Sequence, residues 1–303
     1  MANAPALNGV FVPLTTPFIA DGSLATTHLR ANIAKYDRLP LSGYVVTGST
    51  GEAVMLTREE TLRVWAAARE AAAPGKVLIA GAGTDSTAET ISRARAAAEL
   101  GYTFALVKTP YYYKAMMTPA ALEEHYRRVA DASPIPILIY SVPVYTGITV
   151  EADLAVRLAG HPNIAGIKDS SGSPERAGAI VRQSPVGFRV VVGSAQFFAA
   201  SLAAGVHGGI LAAACVLPEL CLELYDAHAK GKSTESVDVA QKALADPART
   251  IVSEYGPPAV KYAMEKRGYY GGPPRSPLQP LSPAAAAEVD ATLLGLFEVS
   301  STP

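Results

Sequence analysis

The chain predicts an α/β fold, a TIM (β/α)8 barrel with a C-terminal helical appendage. Short apolar runs alternate with alanine-rich helical stretches, the pattern of βα units on a parallel sheet. Eight such runs occur within about 220 residues, a spacing that suits a closed barrel. No G-x-G-x-x-G turn follows the first run, which ends in "TTPFIADG"; "GAGTDS" after the third carries only G-x-G. A doubly wound dinucleotide-binding sheet is therefore disfavoured.

In order, the strands are "GVFVPLTTPF" from Gly9, "GYVVTG" from Gly43, "KVLIAGAG" from Lys76 and "FALVKTP" from Phe104. They continue with "IPILIYSVP" from Ile135, "IAGIKDSS" from Ile164, "FRVVVGSA" from Phe188 and "GGILAAA" from Gly208. Helices are clearest over Arg58 to Ala73, Thr87 to Leu100 and Pro119 to Asp131, with Thr57, Ser86 and Thr118 as N-caps. The last barrel helix spans about Leu217 to Ala229. Strand signals then stop. Helices are expected over Lys232 to Ser253, Pro258 to Lys266 and Pro283 to Phe297, with "GYYGGPPRSPLQPLSP" as a Pro/Gly-rich connector. The expected division is a catalytic barrel over 1–230 and a helical domain over 231–303.

Of 303 residues, 49% are hydrophobic and 17% charged, enough for a sizeable core. A net charge of −1 argues against a nucleic-acid partner. No run of about 18 apolar residues suggests a membrane span, and "MANAPALNG" lacks the regions of a signal peptide. Cys215 and Cys221 are too few for a disulfide framework. A cytoplasmic enzyme is the expectation.

Barrel active sites form at the carboxyl ends of the strands. There the chain delivers Gly48-Ser49-Thr50-Gly51-Glu52, Lys108-Thr109-Pro110-Tyr111-Tyr112-Tyr113, Tyr140-Ser141, Lys168-Asp169-Ser170-Ser171 and Gly193-Ser194. The five histidines are scattered, so no metal site is expected. Lys168 follows Ile164-Ala165-Gly166-Ile167, an apolar setting that favours the neutral, nucleophilic amine. Such an amine condenses with a carbonyl to an iminium, which stabilises a neighbouring carbanion. Tyr140, on the adjacent strand, is positioned to move protons, with Ser49 as a relay. The Gly48-Ser49-Thr50 turn offers hydroxyls and N–H groups to a carboxylate. Each residue also has an ordinary reading: a solvated strand-end lysine, a tyrosine anchored on backbone, a turn leading into a helix beside Glu52. Asp169 and the serines after it read as satisfying the strand-end turn. Lys108 sits in a similar apolar strand, and pattern alone does not choose between the two lysines.

These motifs, in this order, resemble the dihydrodipicolinate synthase/N-acetylneuraminate lyase family of class I, pyruvate-dependent aldolases. The resemblance runs from "VPLTTPF" through "GSTGE", "TPYYY", "IYSVPVYTG" and "GIKDSSG". It implies a homotetramer built as a dimer of dimers, pyruvate as the 2-oxo acid and no cofactor beyond the covalent lysine imine. It also implies that Lys168 is the Schiff-base lysine and Tyr140 the proton-shuttling tyrosine. Ser49 and Thr50, after Gly48, would hold the pyruvate carboxylate, with Ser49 also relaying protons to Tyr140. Tyr112 would reach across a dimer interface, and Ile210 would cover the bound pyruvate.

Tyr145 in "YSVPVYTG" stands where dihydrodipicolinate synthases carry an arginine for aspartate semialdehyde. "ADASPIPILIYSVP", "HPNIAGIKDSSG" and "GYYGGPPRSPLQPLSP" are instead similar to the 4-hydroxy-2-oxoglutarate aldolase branch, although Thr50 replaces the asparagine of its animal members. Dihydrodipicolinate synthesis and the cleavage or dehydration of a 2-keto-3-deoxy sugar acid are the alternatives.

Overall fold

A computed structural model describes residues 7–298. The first residues of "MANAPALNG", and both ends of the expected domain division, lie outside them. Eight strands, β1 (Gly9–Pro13), β2 (Gly43–Val46), β3 (Val77–Gly81), β4 (Phe104–Lys108), β5 (Ile137–Ser141), β6 (Ile164–Asp169), β7 (Arg189–Val192) and β8 (Gly208–Ile210), pair in parallel and in sequence order. β1 also pairs with β8, closing the barrel.

Closure buries both faces of every strand, which is why the strands read as continuous apolar runs. Inward residues such as Phe11, Val45, Ile79, Leu106, Leu138, Val191 and Ile210 fill the barrel. Outward residues such as Val10, Val46, Val107, Ile139 and Val190 pack beneath the helices. Those helices are α1 (Thr26–Tyr36), α2 (Arg58–Ala71), α3 (Thr87–Glu99), α4 (Pro119–Ala132), the single turn α5 (Pro143–Thr146), α6 (Ala152–Leu158), α7 (Pro174–Gln183), α8 (Phe198–Ala203) and α9 (Pro218–Ala229). The three expected N-caps form: Thr57, Ser86 and Thr118 accept the N–H groups of Glu60, Glu89 and Ala121. Thr57 and Glu60 complete a reciprocal capping box.

Beyond the barrel lie α10 (Thr234–Pro247), α11 (Gly256–Lys266) and α12 (Pro283–Glu298). The single helix expected over Lys232 to Ser253 instead changes character at Pro247. α10 ends there, and Ala248–Glu254 continues as a π-helix. Proline cannot donate the next backbone hydrogen bond, and π turns absorb such a fault. The change turns Ala248, Val252, Ser253 and Glu254 toward the carboxyl end of the barrel, where they line its cavity.

Candidate active site

Tyr140 and Lys168 are register partners across β5 and β6, and both point into the barrel. The Lys168 Nζ lies 4.2 Å from the centroid of the Tyr140 ring. Lys168 is 4% exposed, so its amine is held among barrel side chains rather than in bulk water. The Tyr140 hydroxyl lies 3.3 Å from the Ser49 hydroxyl. Lys168, Tyr140, Ser49, Thr50 and Ile210 all line one cavity of about 520 Å³. Of the residues predicted for the site, these five are brought together.

The turn carrying Ser49 is shaped by its own backbone. At the end of β2, Thr47 enters the left-handed region at φ 57°, which non-glycine residues seldom occupy. Its hydroxyl donates to the Val46 carbonyl and accepts the indole N–H of Trp65 at 2.7 Å. The Gly48 carbonyl then accepts the N–H groups of Gly51 and Ala53, and the Ser49 carbonyl accepts that of Glu52. Among the described residues, the N–H groups of Ser49 and Thr50 meet no hydrogen-bond acceptor. A turn that leaves adjacent donors unmatched is suited to an anionic oxygen. Gly48 lines a neighbouring smaller cavity behind Ser49.

At β6, Asp169 is buried and accepts from the Ser171 N–H and hydroxyl and from Arg176 Nε at 3.2 Å. That part of the turn is structural, as its sequence suggested. Ser171 thus serves the turn as expected, and both it and Ser170 also line the large cavity. Gly193 opposite leaves little room for a side chain: a Cβ there would lie 2.0 Å from Ser170 Oγ, which would have to turn aside, and 3.4 Å from Lys168 Cε.

Besides Gly48, the predicted Tyr112 lies outside the large cavity, as does the rival Lys108. Tyr112 is 74% exposed and lines neither cavity; Asp85 accepts its backbone N–H at 2.9 Å. Lys108, the rival lysine, is the register partner of Tyr140 on the other side, across β4 and β5. It lines an adjoining cavity of about 220 Å³ with Asp85, Arg93 and Tyr111, which Ser49 and Tyr140 border as well, and its Nζ lies 4.5 Å from the Tyr111 ring centroid. Burial pulls the Lys108 pKa down, and Asp85 opposes that shift. Nearby, burial and then Lys108 lower His125 to about 4.

The sequence did not reveal Gln196, Ser253, Tyr255 or Leu278 as cavity residues. Gln196 Nε2 donates to the Ser253 hydroxyl at 3.1 Å, bridging the loop after β7 to the π-helix. The only hint was the Pro/Gly-rich connector, which supplies Leu278. Glu52 stands just before the short 3₁₀ turn Ala53–Met55, in keeping with its reading as a carboxylate near a helix start, but its partner was not foreseen. Glu52 is 2% exposed and forms an ion pair with Lys261 of α11. Among the described residues, no three His, Cys, Asp or Glu are grouped to hold a metal, and no helix is long and apolar enough to cross a membrane.

Residues 6–295 match the dihydrodipicolinate synthetase family. A probable mitochondrial 4-hydroxy-2-oxoglutarate aldolase from Emericella nidulans is 37% identical over 95% of this chain and 94% of its own. A 4-hydroxy-tetrahydrodipicolinate synthase from Exiguobacterium sp. is 34% identical over 93% and 95%. Among solved structures, a chloride-inhibited dihydrodipicolinate synthase from Acinetobacter baumannii complexed with pyruvate superposes with a TM-score of 0.91. It is 30% identical, and the match spans 96% of this chain and 99% of that one. A lysine and tyrosine paired inside a closed barrel thus occur in a chain that belongs to the dihydrodipicolinate synthetase family and is a carbon–carbon lyase.

Proposed function

We propose that the chain is a Schiff-base aldolase that cleaves 4-hydroxy-2-oxoglutarate to pyruvate and glyoxylate. The observation that carries this reading is the buried Lys168 amine beside Tyr140, in a cavity shared with Ser49 and Thr50. Lys168 attacks the C2 carbonyl and water leaves, giving the iminium. Ser49 and Thr50 hold the C1 carboxylate through their hydroxyls and N–H groups, and Ile210 packs over the bound acid. Tyr140 accepts the C4 hydroxyl proton, relayed through Ser49, as the C3–C4 electron pair flows into the iminium. The aldehyde departs, the enamine takes a proton at C3, and water releases pyruvate from Lys168. No metal is needed, because the iminium is the electron sink.

The choice of substrate is supported by the Emericella nidulans relative and by Tyr145, which lines the cavity where an arginine would favour aspartate semialdehyde. A second reading, a 2-keto-3-deoxy sugar acid, is favoured by one observation. Among the described residues lining the cavity, Lys168 is the only lysine or arginine, whereas Ser170, Ser171, Ser194, Gln196 and Ser253 supply neutral polar groups. The exposure of Tyr112 supports its completing the relay in a neighbouring subunit, and with it a homotetramer. The division at 230/231 and a cytoplasmic location belong to the same proposal.

Borohydride reduction in the presence of pyruvate tests the mechanism. A covalent mass increase at Lys168 is expected; no adduct, or an adduct at Lys108, refutes it. Cleavage of 4-hydroxy-2-oxoglutarate is then compared with cleavage of a 2-keto-3-deoxy sugar acid and with condensation of pyruvate and aspartate semialdehyde. Turnover in the condensation alone refutes the substrate assignment.

A further inference from the structure

Behind the turn that carries Ser49 and Thr50 lies a buried charged assembly that touches no part of the large cavity. Its centre is Glu52, held in the left-handed region at φ 53° and ψ 35°. Both oxygens of its carboxylate are engaged. One pairs with the Lys261 ammonium, and the other accepts the Arg275 backbone N–H at 2.7 Å. Lys261 is 1% exposed and also donates to the Pro273 carbonyl at 2.9 Å. Its Nζ and the Arg275 guanidinium carbon each lie 4.4 Å from the centroid of the Phe18 ring. Arg275 in turn pairs with Glu60, the partner of Thr57 in the capping box of α2, and donates to the Gly22 and Met55 carbonyls.

The placement of this assembly is what gives it consequence. Glu52 follows Thr50 by two residues, and its N–H is bonded to the Ser49 carbonyl. The other side of the turn is fixed by Thr16, whose hydroxyl donates to the Gly51 carbonyl at 2.6 Å. The left-handed backbone at Glu52 is disfavoured for a residue with a Cβ and persists only where surrounding contacts hold it. Removing the Lys261 ammonium leaves a carboxylate without its counter-charge inside the protein. Such a group must take up a proton or turn toward water. Turning would pull the backbone that presents Ser49 and Thr50.

We infer that Lys261, through its ion pair with Glu52, is a positioning residue that sets the carboxylate-binding turn for the 2-oxo acid. This inference rests on the proposed imine chemistry, and its test is built to separate the two.

Borohydride trapping is measured with pyruvate and with acetone, which offers a similar carbonyl without a carboxylate. Wild type, Lys261→Met, Glu52→Gln and the double variant are compared. Glu52→Gln changes almost no volume and keeps the test available if Lys261→Met does not fold. Half-saturation by pyruvate is expected to rise at least tenfold in each folded single variant, with acetone trapping at Lys168 unchanged. The double variant, which leaves no unpaired charge, is expected to recover part of the loss. Pyruvate and acetone trapping that fall together, or a pyruvate response that does not change, overturns the inference. If wild type traps no pyruvate, the imine reading falls and this inference falls with it.

Discussion

The hydrogen bond between Tyr140 and Ser49 sets a ranking that kinetics can test. Tyr140→Phe removes the only group proposed to accept the C4 proton while leaving the ring beside Lys168. General acid–base groups contribute roughly 10²–10⁴-fold, so kcat for cleavage is expected to fall by about that factor. Ser49→Ala acts differently. Its oxygen lies 3.3 Å from the Tyr140 hydroxyl, longer than the usual 2.5–3.0 Å for two hydroxyls. A neutral hydrogen bond is worth about 0.5–1.5 kcal/mol net, which at 1.36 kcal/mol per decade is roughly a twofold to thirteenfold loss. Loss of a carboxylate contact would add to KM rather than kcat. The assay is steady-state cleavage with coupled detection of pyruvate, with single-turnover borohydride trapping to show that imine formation survives in both variants. If Ser49→Ala lowers kcat as much as Tyr140→Phe, the relay through Ser49 is as indispensable as the tyrosine and the ranking is wrong. If Tyr140→Phe keeps kcat within threefold, Tyr140 is not the base.

Two further outcomes follow from the geometry. His125 is buried, and its pKa falls from 6.5 to about 4, so the unfolded chain binds its proton first as pH drops. Stability should therefore be intact above pH 6.5 and decline toward pH 4 by about 3 kcal/mol. Denaturant midpoints should show this decline flattened in His125→Gln, and an unchanged slope would refute it. Gly193→Ala places a methyl group against Ser170 Oγ, a repacking expected to cost about 1–3 kcal/mol of stability and to slow imine formation at Lys168. Unchanged trapping kinetics would show that Ser170 can move aside freely.

The barrel was legible because each βα unit carries its own signals. Apolar runs mark strands buried on both faces, and Thr57, Ser86 and Thr118 stand where helices must satisfy their first N–H groups. The core of the site was legible for the same reason: Lys168 and Tyr140 break apolar runs at strand ends, where a charge or a hydroxyl needs an explanation. Glu52 with Lys261 was not legible, nor Gln196 with Ser253. Each pair joins segments far apart in the chain, and no local period records which distant loop a side chain will meet. The π-helix was missed because Pro247 changes hydrogen-bond register without altering composition. Tyr112 illustrates a different limit, since the partner proposed for it lies on another chain.

Lys108, Tyr140 and Lys168 form one row across β4, β5 and β6, with the tyrosine between two inward lysines. Burial alone does not separate the two amines, because Lys108 is itself desolvated enough to lower its pKa. Their surroundings do. Lys108 shares its cavity of about 220 Å³ with Arg93 and Asp85, whereas Lys168 opens into about 520 Å³. Small-molecule sites typically enclose about 300–1,000 Å³, so only the second accommodates a 2-oxo acid together with its departing aldehyde. That larger space is also lined by the Thr50 turn and by the Gln196–Ser253 bridge. Polar groups from both segments are thus available to an acid anchored through C2, which supports the proposal of Lys168 as the nucleophile.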